Sequence, residues 1–303
     1  MIRFSYRLVV AFLLFSLVPC SAAFACSVCR CGDPTFNALG TNIFVAHQFH
    51  LAFDSERLEK EQGAGDEIES LTETRFVLTG SYGISERLQV VARIPWSRRS
   101  LASDEEPGTA SGLGDPELYG IYRLWSSDWE EGMGKRSWVS VVAGVKTAWG
   151  KNDAADAGER LDEHVQPGTG STDLFAGLSA VHLFDDRSTI YGSIQLRKPS
   201  RNGFDYLYGD TTLVNLGYEH KLSERWDGAL EVNARAAGHD QIDATGEEDP
   251  DTGGAIVYLS PRLLFDLGRN VVARIAVQVP AVEDLHGDQR EKTVWNLGVT
   301  ATF

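Results

Sequence analysis

The chain has 303 residues, 43% of them hydrophobic and 23% charged, and a formal net charge of −15. So acidic an overall balance rules against nucleic acid, whose binding needs a broad basic face. A mean hydropathy of −0.20 is compatible with a membrane barrel, because only alternate residues of a barrel strand face lipid.

Residues 1–25 read as a secretion signal. Arg3 and Arg7 precede the apolar run from Leu8 to Val18, and Ala23-Phe24-Ala25 forms a small-x-small cleavage site. That run is too short for a membrane helix, which needs about 20 apolar residues. Cleavage removes Arg3 and Arg7, takes the charge to −17 and leaves Cys26 first. Residues 26–39 then form a short periplasmic segment carrying Cys26, Cys29 and Cys31. Three clustered thiols suit a soft ion, Cu(I) or Zn²⁺, with His47 or His50 as a further candidate ligand. The alternatives are a structural disulfide, lipidation of Cys26, or redox use of the Cys26/Cys29 pair.

Residues 40–303 carry twelve segments that fit a strand, near 43–53, 72–83, 87–98, 113–125, 137–149, 171–183, 189–198, 210–221, 226–237, 255–266, 271–280 and 293–303. Each is close to or above the roughly 9–11 residues that cross a bilayer at a tilt. Alternation is cleanest at the C-terminus, where Trp295, Leu297, Val299, Ala301 and Phe303 share one face and Asn296, Gly298, Thr300 and Thr302 the other. Short joints such as Gly83–Arg87, Phe184–Ser188, Lys221–Arg225 and Asp266–Asn270 alternate with long acidic ones. That asymmetry predicts an all-β fold: a transmembrane antiparallel up-and-down β-barrel of about 12 strands, with short periplasmic turns and long external loops. An even count puts both termini in the periplasm. Tyr82, Trp96, Trp125, Trp149, Tyr218 and Trp226 fall near strand ends, as interfacial girdles do.

If the apolar faces meet lipid, the opposite phase lines a lumen with Arg75, Arg93, Arg123, Lys146, Arg197, Arg235, Arg262 and Arg274. Acids on inward phases are fewer: Glu73, Glu117, Asp227 and Glu231. A basic wall selects anions electrostatically, while the bland alternative is that Arg–Glu ladders fill a narrow barrel. Gln195, Asn233 and Gln278 would line the same path. The six acids between Asp240 and Asp251 read as a solvated loop.

No Gly-x-Ser-x-Gly, no His-Glu-x-x-His and no phosphate-cradling glycine loop is present, so the expectation is that the protein is not an enzyme.

The stretch Ser111-Gly112-Leu113-Gly114-Asp115-Pro116-Glu117-Leu118-Tyr119-Gly120 resembles the Gly-Leu-Gly-Asp strand of outer-membrane proteins assigned to transport in the phenol-degradation meta pathway. Val142-Ala143-Gly144-Val145-Lys146-Thr147, leading to Gly168-Thr169-Gly170-Ser171-Thr172-Asp173, is similar to a second stretch of that family. The segment Val145–Gly150 departs from it in lacking the usual Pro-Thr-Gly. The resemblance spans roughly 70–303 and implies a barrel of the bacterial outer membrane.

The function expected is therefore a channel or transporter for passive passage of small solutes, anionic or aromatic. The expected partners are outer-membrane lipid and lipopolysaccharide, the solute, and the barrel-assembly machinery through the strand ending in Phe303. A non-conducting barrel whose Cys26-x-x-Cys29-x-Cys31 segment binds a soft metal or docks a periplasmic partner is the alternative. An outer-membrane lipid hydrolase is the third.

Overall fold

The computed structural model describes residues 45–63, 68–103, 107–128 and 135–303; the expected signal peptide and the segment with Cys26, Cys29 and Cys31 lie outside the described residues. Within the described residues every regular element is a strand: β1 (Phe49–Gln62), β2 (Glu69–Gly83), β3 (Leu88–Ala102), β4 (Gly108–Leu113), β5 (Glu117–Asp128), β6 (Lys135–Lys146), β7 (Ala155–Asp156), β8 (Glu159–Arg160), β9 (Asp173–Leu183), β10 (Ser188–Pro199), β11 (Thr211–Lys221), β12 (Trp226–Ala237), β13 (Gly254–Gly268), β14 (Val271–Leu285), β15 (Arg290–Glu291) and β16 (Val294–Thr302).

Successive long strands pair antiparallel, and the sheet closes on itself. Strand β1 pairs with β2 from Phe49↔Tyr82 to Gln62↔Glu69 and with β16 from His50↔Thr302 to Arg57↔Trp295. Counting β4 and β5 as one interrupted stave gives twelve staves and no free edge, the condition for a sheet to lie in lipid. The predicted fold is thus the observed one.

Alternation sets the two faces. Trp295, Leu297 and Val299 point outward, whereas Val294 and Asn296 are buried inside. On the outer wall the rings of Phe53, Phe76 and Trp96 form a row across β1, β2 and β3 at 5.8 Å between neighbours, the first pair stacked and the second tilted. Inside, Val91, Tyr119, Ile121, Trp138, Val142, Phe175, Val181 and Tyr191 form one apolar cluster. Two inward glycines make room for it. Gly144 lies opposite Tyr119 and Gly217 opposite Tyr191, and a Cβ on either would overlap its partner. An aromatic laid over a cross-strand glycine is a recurrent way to pin register.

Several expected boundaries move. The first strand, predicted at 43–53, runs over Phe49–Gln62, and much of the predicted 54–71 loop is a hairpin continuing the barrel wall. Likewise β3, β4 and β14 take residues expected in the 99–112 and 280–292 loops. Alternation persists there with polar residues outside, as Ala52, Glu56, Leu58 and Lys60 are buried on one phase. A sequence reading keyed to apolar residues ends such a strand where the lipid would end. The strand predicted at 113–125 begins at Glu117 as β5, and Gly114-Asp115-Pro116 separates it from β4, which ends at Leu113.

Candidate functional site: a charge-paired lumen and the clasp at its mouth

All eight predicted cations fall on the inward phase of their strands, and most have a carboxylate at ion-pair distance. Glu117 lies 2.6 Å from Arg197 and 3.2 Å from Arg93. Lys146 sits 3.0 Å from Asp173 and 3.5 Å from Asp115. Asp173 also approaches Arg197 at 3.6 Å, so Asp115, Lys146, Asp173, Arg197, Glu117 and Arg93 form one unbroken chain of alternating charge. Arg262 is 3.1 Å from both Glu219 and Glu231. Arg235 meets Glu291, which Lys60 reaches at 3.0 Å, and Arg274 meets Asp54. Arg75 lies 3.9 Å from Glu56. Arg123 donates to the Glu86 carbonyl at 2.8 Å and lies over the Trp138 ring.

Sequence reasoning found the cations but missed most of their partners: Asp54, Glu56, Asp115, Asp173, Glu219 and Glu291 are all interior acids beside a cation. Asp54 and Glu56 lay beyond the predicted end of the first strand, and Glu291 sits in a two-residue strand no periodicity reveals. Continuing the β1 alternation through Asp54, Glu56, Leu58 and Lys60 would have found the first two.

Three of these guanidiniums also face aromatic rings. Arg197 lies 4.9 Å from the Phe175 ring centre, Arg262 5.9 Å from Tyr191 and Arg123 5.7 Å from Trp138. The interior therefore pairs neutralised charge with π-faces, an arrangement worth more once desolvated.

The motifs quoted for the family resemblance meet at one point. Asp115, buried in the break between β4 and β5, accepts from Gly150 N at 2.8 Å, Thr169 N at 2.6 Å and Thr169 Oγ1 at 2.7 Å. Lys146 ends β6 there and donates to Thr169 Oγ1 and to Ser171 Oγ, the latter at 3.1 Å. Backbones approach so closely that a Cβ on Gly150 would lie 2.6 Å from Gly114 C, and one on Gly168 2.7 Å from Gly150 Cα. The departure from the family pattern at Val145–Gly150 leaves this clasp complete.

The clasp fixes residues 147–172, which run from β6 to β9 and carry the β7–β8 hairpin. β6 ends at Lys146, so the ladder does not continue along β4; Lys151 N donates to Leu113 O at 2.8 Å, and Gly168 N to Lys151 O. The segment folds inward: Val165 and Gln166 are wholly buried, and Arg99 donates to the carbonyls of Gln166 at 2.8 Å and His164 at 3.2 Å. Neighbouring loops lock onto it. Asn202 donates to Thr169 O at 3.0 Å, and Tyr206 donates to Asp240 at 2.6 Å. Asp240, expected in a solvated acidic run, is fully buried because Gly209 N and the Tyr206 hydroxyl satisfy it. Burial raises the Asp162 carboxyl, but the His164 imidazole 2.8 Å away outweighs it and holds the group down to about 2.

Three histidines meet hydroxyls near the short-turn end: His50 with Thr302 at 2.9 Å, His182 with Ser137 at 2.7 Å and His220 with Ser188 at 3.0 Å. His182 and His220 lie on the outward phase of β9 and β11, away from the lumen.

No protein-family model matches the chain, and no curated protein matches it. Solved structures share its fold. An outer membrane channel from Pseudomonas putida F1 superposes with a TM-score of 0.70 at 13% identity, over 87% of this chain and 98% of that one. The translocator domain of the autotransporter NalP from Neisseria meningitidis does so with 0.53 at 10% identity, over 89% and 93%. The expected kinship with outer-membrane transport barrels holds at the level of fold.

Proposed function

We propose that this outer-membrane-type barrel is a channel for passive passage of small aromatic or weakly anionic solutes. The carrying observation is the interior seam in which Arg197, Arg262 and Arg123 each face an aromatic ring inside a closed barrel. Such a wall offers π-faces to an aromatic ring and oriented donors to its oxygen substituents. Because carboxylates neutralise most of the arginines, attraction for anions is local rather than the field of a bare basic pore. The 147–172 segment is the constriction, held by the Asp115–Lys146 clasp. The role proposed is non-catalytic.

The test is conductance of the refolded mature barrel in a planar bilayer under a KCl gradient, with benzoate and then glucose as competing solutes. Stable current that benzoate blocks and glucose does not supports this reading. A heat-modifiable, folded barrel that passes nothing supports the second reading, a sealed barrel that docks a partner. The dense burial of Arg235, Tyr258, Gln278 and Asn233 favours that one.

A further inference from the structure

Most interior cations are paired, whereas among the described residues Arg87, Arg187, Arg225 and Arg269 at the short-turn end have no ion-pair partner. Three of its turns repeat an apolar residue, a Ser or Asp, an acid and an arginine: Ile84-Ser85-Glu86-Arg87, Phe184-Asp185-Asp186-Arg187 and Leu222-Ser223-Glu224-Arg225. The fourth carries Leu267 and Arg269. The second residue shapes the turn, as Ser85 Oγ accepts from Leu88 N at 3.1 Å and Asp185 Oδ1 from Arg187 N at 2.9 Å. That leaves the apolar side chain and the arginine exposed at the tip.

At one place this pattern borders a groove. Between β11 and β14 the outer wall has a cleft of about 570 Å³, within the roughly 300–1,000 Å³ typical of small-molecule sites. Tyr218, Leu230, Pro261, Leu263, Ile275 and Val277 line it, and Leu222 closes its turn-side end. Two sequence features open it. Gly228 sits between His220 and Leu263 across the ladder, so a side chain is missing from the outward row. Pro261 has no N–H, and β13 pairing with β14 skips from Leu259↔Val279 to Arg262↔Ala276.

Arg225 follows Leu222 by three residues in the β11–β12 turn, and Arg269 lies in the adjacent β13–β14 turn. Their turns are joined by Asp266 N donating to Arg225 O at 2.9 Å. The nearby acids are occupied: Glu224 faces Lys221 at 3.5 Å and Asp266 caps Gly268 N at 2.7 Å. Among the described residues neither Arg225 nor Arg269 has an ion-pair partner. Two arginines without ion-pair partners in adjoining turns, next to an apolar furrow on a lipid-facing wall, match a phosphate joined to an acyl chain.

We propose that this groove is a specific site for one phospholipid of the bilayer leaflet at the short-turn end. Its acyl chain lies along Gly228 and Pro261, and its phosphate lies between Arg225 and Arg269. The lipid would brace the seam where the β13–β14 ladder is interrupted. The site is separate from the lumen and independent of what the lumen conducts.

The experiment is native mass spectrometry of the delipidated full mature barrel titrated with phosphatidylglycerol, with heat-modifiability on gels checking that each variant is folded. Wild type is expected to bind one lipid more tightly than any that follow. The double variant Arg225→Gln/Arg269→Gln should lose that first site, with at least tenfold weaker binding, while Arg98→Gln, at the opposite end, keeps it. Gly228→Leu fills the furrow and should lose the site with both arginines intact. Graded binding without a distinct first lipid in wild type overturns the proposal. So does a folded double Gln variant that binds like wild type.

Discussion

Asp115 satisfies two backbone N–H groups, a hydroxyl and an ammonium with one carboxylate. An amide of the same shape presents two donors where the site presents only donors, so Asp115→Asn leaves buried groups opposed. The expected loss is about 3–5 kcal/mol, the usual cost of breaking one side of a buried pair, read as a lower urea midpoint in vesicles. Faster proteolysis within 147–172 should accompany it; an unchanged midpoint and cleavage rate would refute the clasp. Asp162 acts on the same segment through pH. Its folded pKa lies below its unfolded one, so its contribution is complete above the ordinary aspartate range and vanishes as pH falls toward about 2. Current noise from the mouth should therefore rise between pH 5 and pH 2 in wild type. In Asp162→Asn it should be high already at pH 5 and change less.

Along the elements, two Tyr–Gly pairs hold the register of the inner wall. At Gly217 the Tyr191 ring covers the bare backbone, and its hydroxyl donates to Glu231 and accepts from Arg262 at 2.8 Å. Gly217→Ala forces the ring away, and overpacking of this sort costs about 1–3 kcal/mol. Gly192→Ala, whose new methyl meets atoms no nearer than 3.1 Å, should cost less. The ordering of the two urea midpoints checks it, and a reversed order would show that Tyr191 does not depend on Gly217. These glycines stand out in the sequence only as motif letters; why Gly144 and Gly217 are needed follows from which residue lies opposite each.

For the whole molecule the governing quantity is the balance of charge within the barrel. Glu117 holds both Arg93 and Arg197. Glu117→Gln removes one negative charge beside Arg93 and Arg197, leaving Arg197 its contact with Asp173, and should shift the reversal potential toward that of chloride, with a permeability ratio several-fold more anion-biased. No shift would mean that current does not pass these side chains. The converse pair Arg93→Gln with Arg274→Gln should move the ratio toward cations.

The sequence by itself determined the strand count and the closed barrel. Both follow from period-two alternation and turn chemistry, which are local. Strand ends were less legible, since β1 continues past Phe53 as a polar hairpin whose alternation carries no lipid-facing signal. Only the tertiary structure decided what each cation faces, because its partner sits on another strand. Arg274 and Asp54 are 220 residues apart, and Arg235 and Glu291 are 56 apart. Only the side-by-side pairing of β5, β6 and β9 brings Asp115 to Thr169, and only strand register places Gly228 beside Leu263. Pairing across a sheet depends on register and shear, quantities of the closed whole that no window of sequence contains.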